Sequence, residues 1–254
     1  MKSLSSLVLF LLTALSSLAD PVKLKILALI AEREYETQTT LPAFFENELK
    51  KDYDIAIIRL DDGKHDFAGL EEKLKEADLL FLSVRRRTPT ESQLTALRKF
   101  MASGRPVLGI RTASHAFAKN KNQTIPAGHD SWQSWDADVF GGSYSGHLGS
   151  KQATSAKVAT DHPITKGITK ESFATGGSLY TVKPLAAGSK VHLTGNAVGG
   201  KEDQPVAWSF RRKDGGLSFY TSLGHIKDFQ ALPLPLLLKQ ATHWLLTNSE
   251  NTKK

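Results

Sequence analysis

The chain has no cysteine among its 254 residues. This absence excludes disulfide bonds, thiolate metal sites and a cysteine nucleophile. The sequence also lacks an internal repeat, a low-complexity linker and the His-x-x-x-His spacing of a helical metal site. The length is sufficient for one sizeable core without disulfides, so we predict a single α/β domain.

Apart from one N-terminal stretch, the chain has no segment typical of targeting. Lys2 is followed by an apolar stretch over residues 7–15 and by the small-x-small pattern Ser17-Leu18-Ala19. This predicts a signal peptide over residues 1–19, one folded domain over 20–247 and a flexible tail over 248–254. An uncleaved N-terminal anchor is the alternative, although the apolar stretch is short for a membrane span. We therefore expect export to the periplasm or the extracellular space, with no membrane contact after cleavage.

The chain is basic, with a formal net charge of +7 and a pI near 9.4. Such a balance can indicate a nucleic-acid or anionic partner. The lysines are scattered, however, and no nucleic-acid-binding motif accompanies them. We therefore expect no nucleic-acid partner.

Apolar runs alternate with helical periodicity through the first half. Strands are predicted at residues 24–31, 53–60, 78–84 and 107–110, and helices at 41–50, 67–76 and 90–103. Pro42 is placed in the first turn of its helix, and Thr90 with Gln93 is predicted to form a capping box. This alternation predicts a parallel sheet with helices on both faces. The second half is more irregular, with strand-like segments at 153–159, 190–194, 205–210 and 217–222 and a helix at 234–246.

The turn after the fourth strand has the layout of a nucleophile elbow. Gly109-Ile110-Arg111-Thr112-Ala113 follows an apolar strand and is followed by small residues that favour a helix. Arg111 occupies the apex, and an arginine cannot act as a nucleophile, because it stays charged and has no available lone pair. The pattern therefore predicts the architecture of a covalent enzyme without its nucleophile.

Polar clusters follow three of the predicted strands, at residues 34–40, 85–87 and 111–115. Ligands of parallel sheets bind beyond the carboxyl ends of the strands. We therefore expect the three clusters to form one site.

Several motifs together resemble the ThuA-like family, whose domain is similar to that of class I glutamine amidotransferases. They are Glu34-Tyr35-Glu36-Thr37, Ser83-Val84-Arg85-Arg86-Arg87, Gly109–Phe117, Phe140–His147, His162-Pro163-Ile164, Ser178-Leu179-Tyr180, Pro205-Val206-Ala207-Trp208 and Phe219–His225. The resemblance implies a flavodoxin-like three-layer α/β/α sandwich with a mainly parallel sheet. It also implies a link to sugar utilisation, with trehalose and related or oxidised disaccharides as the usual association, and the exported subgroup of the family.

The resemblance also places residues in roles. In the amidotransferases a cysteine at the elbow works with a histidine and then a glutamate after a late strand. His225 matches that histidine, and Asp228 is slightly displaced from the acid. Arg111 replaces the elbow nucleophile, which excludes glutamine hydrolysis by the usual route.

The candidate site residues fall into two groups. Acid–base roles are predicted for His225, Asp228, His115 and Glu34. Substrate-binding roles are predicted for Arg111, Arg85, Arg87, Tyr35, Tyr144 and His147. Arg85 and Arg87 are chosen together because side chains alternate if the strand geometry continues. Plainer alternatives are a half-buried His115, a His147 packed on Trp135, exposed arginine salt bridges, and either Glu34 or Glu36 facing the site.

Two functional hypotheses follow. The first is an enzyme acting on a sugar or an oxidised sugar derivative, as a hydrolase, lyase or isomerase with histidine acid–base chemistry. The partner that the resemblance implies is thus a small molecule, either a sugar or an anionic sugar derivative. The second is a catalytically silent carbohydrate-binding or protein-interaction module on an amidotransferase-like fold. The cofactor is left open, and a divalent metal site is an alternative that the histidine spacing does not favour.

Overall fold

A computed structural model describes residues 22–148 and 152–249. The predicted signal peptide, the segment 149–151 and residues 250–254 of the predicted tail lie outside these residues. The strands are β1 (Lys25–Ala31), β2 (Asp54–Arg59), β3 (Leu79–Val84), β4 (Val107–Ile110), β5 (Gly146–Leu148), β6 (Thr154–Val158), β7 (Phe173–Thr175), β8 (Leu179–Thr181), β9 (Ser189–Ala197), β10 (Gln204–Arg211) and β11 (Leu217–Thr221). The α-helices are α1 (Thr37–Phe44), α2 (Leu70–Glu76), α3 (Glu91–Ala102) and α4 (Pro233–Asn248).

A nine-stranded sheet in the order β2-β1-β3-β4-β11-β10-β9-β6-β7 forms the centre of the protein. The strands from β2 to β11 are parallel to one another, and the candidate site lies in this half. The strands from β10 to β7 extend the sheet in antiparallel pairs. A separate two-stranded ribbon pairs β5 with β8.

Helices cover both faces of the parallel half. Side chains of β1 alternate between the faces, so Ile26 packs in one cluster and Leu27 in the other. The first cluster contains the apolar residues of α1 and α4, and the second contains those of α2 and α3. This is the predicted three-layer α/β/α arrangement. No helix in residues 22–148 and 152–249 has the length and hydropathy needed to cross a membrane.

The helix boundaries differ from the prediction at the first helix and its proline. The helix begins at Thr37 rather than near residue 41 and continues beyond Phe44 as a π-helical turn to Leu49. Pro42 therefore lies inside α1 and not in its first turn.

The predicted capping box at α3 does not form. The Thr90 side chain makes no cap hydrogen bond. The Gln93 side chain instead exchanges two hydrogen bonds with the backbone of Phe67, at 3.0 and 2.8 Å. The Gln93 amide thus bonds to the loop that contains Phe67 and not to the N-terminus of α3.

The segment after β4 also differs from the helix that the sequence predicted there. Residues Arg111–His115 form a 3₁₀ turn and not the start of an α-helix. The macrodipole of a long helix is therefore absent at this apex, because the dipole grows with the number of aligned peptides.

Candidate functional site

Loops that follow four parallel strands meet at one edge of the sheet. Tyr35 follows β1, Arg86 follows β3, Arg111 follows β4 and His225 follows β11. The ring of Tyr35 contacts both the Arg111 guanidinium and the ring of His225. The fold thus brings the predicted clusters together at the edge where parallel sheets bind ligands.

The apex of the elbow is intact and is occupied by arginine. Arg111 has a left-handed backbone with φ of 47°, which is uncommon for a residue with a side chain. The Tyr220 hydroxyl donates a hydrogen bond to the Arg111 carbonyl oxygen at 2.5 Å. Nη1 of Arg111 donates to the carbonyl oxygens of Ser178 and Ser222, at 2.7 and 2.6 Å. These three bonds hold the strained turn.

The Arg111 guanidinium packs against two tyrosine rings. Its Cζ lies 3.8 Å from the ring centroid of Tyr35 and 5.0 Å from that of Tyr180. The sequence predicted direct contact between this guanidinium and a ligand. The structure instead leaves Arg111 with 0% of its surface exposed. The two tyrosine rings and the backbone at Ser178 and Ser222 enclose the guanidinium.

His115 lies at the end of the same turn and is nearly buried. Its ring centroid is 4.8 Å from that of Tyr144 and 6.2 Å from that of Tyr180. Burial, together with the charges of nearby arginines, lowers the pKa of His115 from 6.5 to about 3. The ring is therefore neutral at physiological pH and cannot serve there as a proton-donating imidazolium.

Tyr144 stands half-buried beside this histidine, on the segment before β5. Its ring also packs against Tyr180, with centroids 4.8 Å apart. Its backbone N–H donates to Oδ2 of Asp136 at 2.7 Å. Burial raises the pKa of the Tyr144 hydroxyl, so this group stays protonated and available as a donor.

Of the two candidates Glu34 and Glu36, Glu34 is the one whose side chain contacts other site residues. Its Oε1 accepts a hydrogen bond from the Tyr35 hydroxyl at 3.0 Å, and its Oε2 lies 3.4 Å from Nε of Arg85. Both charged side chains of this pair are about half exposed, at 50% and 52%. Glu32 holds the loop from beneath, because its buried carboxylate accepts the backbone N–H groups of Tyr35 and Thr37.

The strand geometry on which the choice of Arg85 and Arg87 rested does not continue. Strand β3 ends at Val84, and Arg86 has a left-handed φ of 50°. Arg87 turns toward Asp62, with 3.7 Å between Nη2 and the carboxylate. Of the nearby arginines, Arg86 has the largest effect on the pKa of His115 and of Tyr144, and Arg87 has none, so Arg86 takes the place of Arg87 in the candidate site.

The predicted pair of His225 and Asp228 is connected through the backbone and not through the imidazole. Oδ1 of Asp228 accepts the N–H of Gly176 at 2.5 Å, and Oδ2 accepts those of Gly224 and His225 at 2.9 and 3.0 Å. Nδ1 of His225 accepts the N–H of Lys227 at 3.1 Å. Nδ1 is therefore the acceptor nitrogen, and a neutral imidazole in this position has its proton on Nε2.

Two further observations complete the site. His147 is exposed on β5, opposite Tyr180 in the ribbon, and is not in contact with Trp135 in any aromatic pair of the described residues. Tyr180 contacts both Arg111 and Tyr144, yet sequence reasoning did not select it. The signal available was its motif, Ser178-Leu179-Tyr180.

We name the partly exposed surface of this site the strand-end face. Its residues are Glu34, Tyr35, Arg85, Arg86, Tyr144 and His225. In residues 22–148 and 152–249, no three His, Asp or Glu side chains are grouped so that they could hold a metal ion.

The family model for ThuA, described as trehalose utilisation, matches residues 25–245. The chain belongs to the ThuA family. A ThuA-like protein from Bacteroides uniformis aligns with a TM-score of 0.67 at 20% identity, over 92% of this chain and 95% of its own. A ThuA-like protein from Parabacteroides merdae gives 0.58 at 12% identity, over 90% and 91%.

A third solved structure shares the fold more distantly. A GMP synthase protein from Thermoplasma acidophilum aligns with a TM-score of 0.50 at 13% identity, over 90% of this chain and all of its own. At this identity the likeness shows a shared mixed α/β fold with a mainly parallel central sheet. Among curated protein sequences, none matches this ThuA protein.

Proposed function

We propose that this ThuA protein binds a sugar or an oxidised sugar derivative at the strand-end face, as part of carbohydrate utilisation. The family's association with trehalose utilisation supports the substrate class. The observation that carries the proposal is the half-buried ring of Tyr144 beside the charged pair of Glu34 and Arg85. Sugar rings pack their C–H faces on aromatic rings and offer hydroxyls to charged side chains.

The geometry of His225 favours binding over acid–base turnover. Its Nδ1 accepts the Lys227 N–H, so Nε2–H is a donor toward a ligand. A base at Nε2 would need the other tautomer, which would turn two N–H groups toward each other at Lys227. Transfer of a glutamine amide through a thioester is excluded, because the chain has no cysteine.

Calorimetric titration with trehalose and its oxidised derivatives tests the proposal. We expect Tyr144→Ala to weaken binding at least about tenfold, while Tyr144→Phe retains most of the affinity because the ring remains. Arg85→Ala should also weaken binding. Lys157→Ala is a matched control, since Lys157 on β6 is similarly exposed and forms its ion pair with Asp203, which is not a residue of the strand-end face.

The same titration distinguishes the two functional hypotheses. Recovery of unchanged sugar after prolonged incubation is the result expected for a binding protein. A product whose formation is lost in His225→Gln would show an enzyme. If no sugar binds to the wild-type protein, or if Tyr144→Ala binds as the wild type does, the proposed site is wrong.

We also propose that the protein is exported, on the evidence of the pattern in residues 1–19. N-terminal sequencing of the protein from its native host should begin at Asp20. A cytoplasmic protein that retains residues 1–19 would contradict this.

A further inference from the structure

Among the described residues, two arginines are almost completely buried, and their bonding differs. Arg212 is 3% exposed and Arg111 is 0% exposed. Nε of Arg212 lies 3.1 and 3.0 Å from the carboxylate oxygens of Asp214, and Nη1 donates to Leu217 and Ser218, each at 3.0 Å. Its Nη2 donates to backbone carbonyls as well. Every nitrogen of this guanidinium is thus engaged, and its charge is balanced by a carboxylate.

Arg111 has no comparable compensation. Within residues 22–148 and 152–249, its Nε and Nη2 have no hydrogen-bond partner, and no carboxylate lies within 4.0 Å of it. The Tyr35 hydroxyl is a polar neighbour of the guanidinium, but it does not have hydrogen-bond geometry with Nε or Nη2. The carbonyl oxygen of Ser222 accepts the hydrogen bond from Nη1. The buried hydroxyl of the same serine is also without a partner in this part of the chain.

A buried cation of this kind is unfavourable unless an anion accompanies it. Desolvation of a charge is compensated inside proteins by pairing and by hydrogen bonds to every donor. The rings of Tyr35 and Tyr180 offset part of the cost through cation–π contact. The ring faces cannot accept hydrogen bonds from the N–H groups, which point outward in the plane of the guanidinium. The unsatisfied groups therefore point to a ligand.

The geometry defines the chemical class of that ligand. Nε and Nη2 form one edge of a planar guanidinium, which matches the two oxygens of a carboxylate. Gly177 lies beside this edge, where a Cβ would be 3.5 Å from Nη2 and 3.2 Å from Cδ2 of His225. The absence of a side chain there keeps the edge and the imidazole adjacent.

We propose that Nε and Nη2 of Arg111 bind the carboxylate of a sugar acid, and that the Tyr35 ring covers this subsite. The inference rests on the proposed function, and it names the oxidised sugar rather than the neutral sugar as the ligand. Nε2–H of His225 is the adjacent donor for a hydroxyl or a carboxylate oxygen of the same molecule.

Tyr35 can uncover the subsite by rotation of its side chain. The backbone of its loop is fixed, because Glu32 accepts the N–H groups of Tyr35 and Thr37 at 3.0 and 3.1 Å. The ring hydroxyl donates a hydrogen bond to Glu34, and the ring packs on the Arg111 guanidinium and against the ring of His225. That bond breaks when the ring rotates, and Glu34 keeps its partner Arg85.

Calorimetric titration of the mature protein with gluconate and with sorbitol tests the inference, because the two molecules differ mainly by the carboxylate. Sodium chloride is exchanged so that the ionic strength stays constant. We expect wild-type protein to bind gluconate at least about tenfold more tightly than sorbitol. Arg111→Met should lose this preference, and Arg111→Lys should lose most of it because lysine lacks the fork. Lys157→Ala should keep it.

Sodium acetate is the second probe, and it tests the cover without a sugar. Tyr35→Ala should bind acetate more tightly than wild-type protein, because the ring no longer has to move. If Arg111→Met does not fold, as judged by circular dichroism, Arg111→Lys and Tyr35→Ala still decide the question.

The outcomes separate this inference from the proposed function. Equal affinity for gluconate and sorbitol in wild-type protein overturns the carboxylate subsite while leaving sugar binding intact. Acetate binding that depends on Arg111, with no binding of any sugar, supports the subsite and contradicts the proposed function. Undiminished gluconate preference in both Arg111→Lys and Arg111→Met overturns the assignment to Arg111.

Discussion

Asp136 is a partly buried residue beside the site, and the predicted effect of replacing it by asparagine depends in size on pH. Its Oδ2 accepts the Tyr144 N–H, whereas Oδ1 is buried without a partner among the described residues. Burial raises the pKa of Asp136 from 3.8 to about 6. The folded protein therefore binds this proton more tightly than the unfolded chain does.

The stability that this proton provides is fully present below the unfolded pKa of about 3.8. It is lost as the pH rises through about 6, where the folded carboxyl ionises. A shift of about two units corresponds to roughly 3 kcal/mol at neutral pH. Asp136→Asn removes the charge, keeps the shape and keeps an oxygen for the Tyr144 N–H. We expect the free energy of unfolding to rise by up to about 3 kcal/mol near pH 7.5 and to change little near pH 3.5.

Urea unfolding followed by circular dichroism at several pH values measures this difference. Asp52→Asn, at an exposed aspartate in the loop before β2, is the control and should show no comparable pH dependence. A change in stability that is the same at all pH values would refute the reasoning. So would a loss of stability near pH 7.5 in Asp136→Asn.

The remaining predictions concern the elbow and its supports. In NMR titrations the His115 ring should stay neutral down to about pH 4, and Arg86→Gln should raise its pKa, because an adjacent positive charge is removed. Gly109→Ala should destabilise the fold by about 1–3 kcal/mol, since the added Cβ would overlap the Phe140 ring. Tyr220→Phe should cost about 1–3 kcal/mol in thermal or urea unfolding, because the Arg111 carbonyl loses its buried donor. No change in the pKa of His115, or wild-type stability in the latter two variants, would contradict these contacts.

The parallel half of the sheet could be predicted because its strands are buried on both faces. Such strands are short apolar runs, and β1, β3 and β4 each lie within a residue of the predicted bounds. The three-residue strands β5, β7 and β8 gave no comparable signal. They exist because longer neighbours, or each other, supply their hydrogen bonds.

The candidate site was predicted as a location more successfully than as a set of contacts. Arg111, His115, Tyr35, Tyr144 and His225 do meet at one edge of the sheet, because parallel strands must end together. The sequence could not predict that Arg86 and not Arg87 belongs to the site, since one residue with a left-handed backbone changes which side chain faces the site.

The hydrogen-bond partners of Asp228 could not be predicted from the sequence either. Its carboxylate binds the N–H groups of Gly176, Gly224 and His225, and the first of these comes from a segment about fifty residues earlier in the chain. Sequence spacing suggested a pair of side chains. The fold uses the same carboxylate to join two loops.

By itself the sequence determined the elements that depend on local composition and period. These are the parallel α/β core, the elbow with arginine at its apex and the absence of a thiol nucleophile. Only the tertiary structure decided that the Arg111 guanidinium lies beneath Tyr35 with two of its nitrogens unsatisfied. Burial and hydrogen-bond partnership depend on which distant segments are packed together, and no local pattern encodes that.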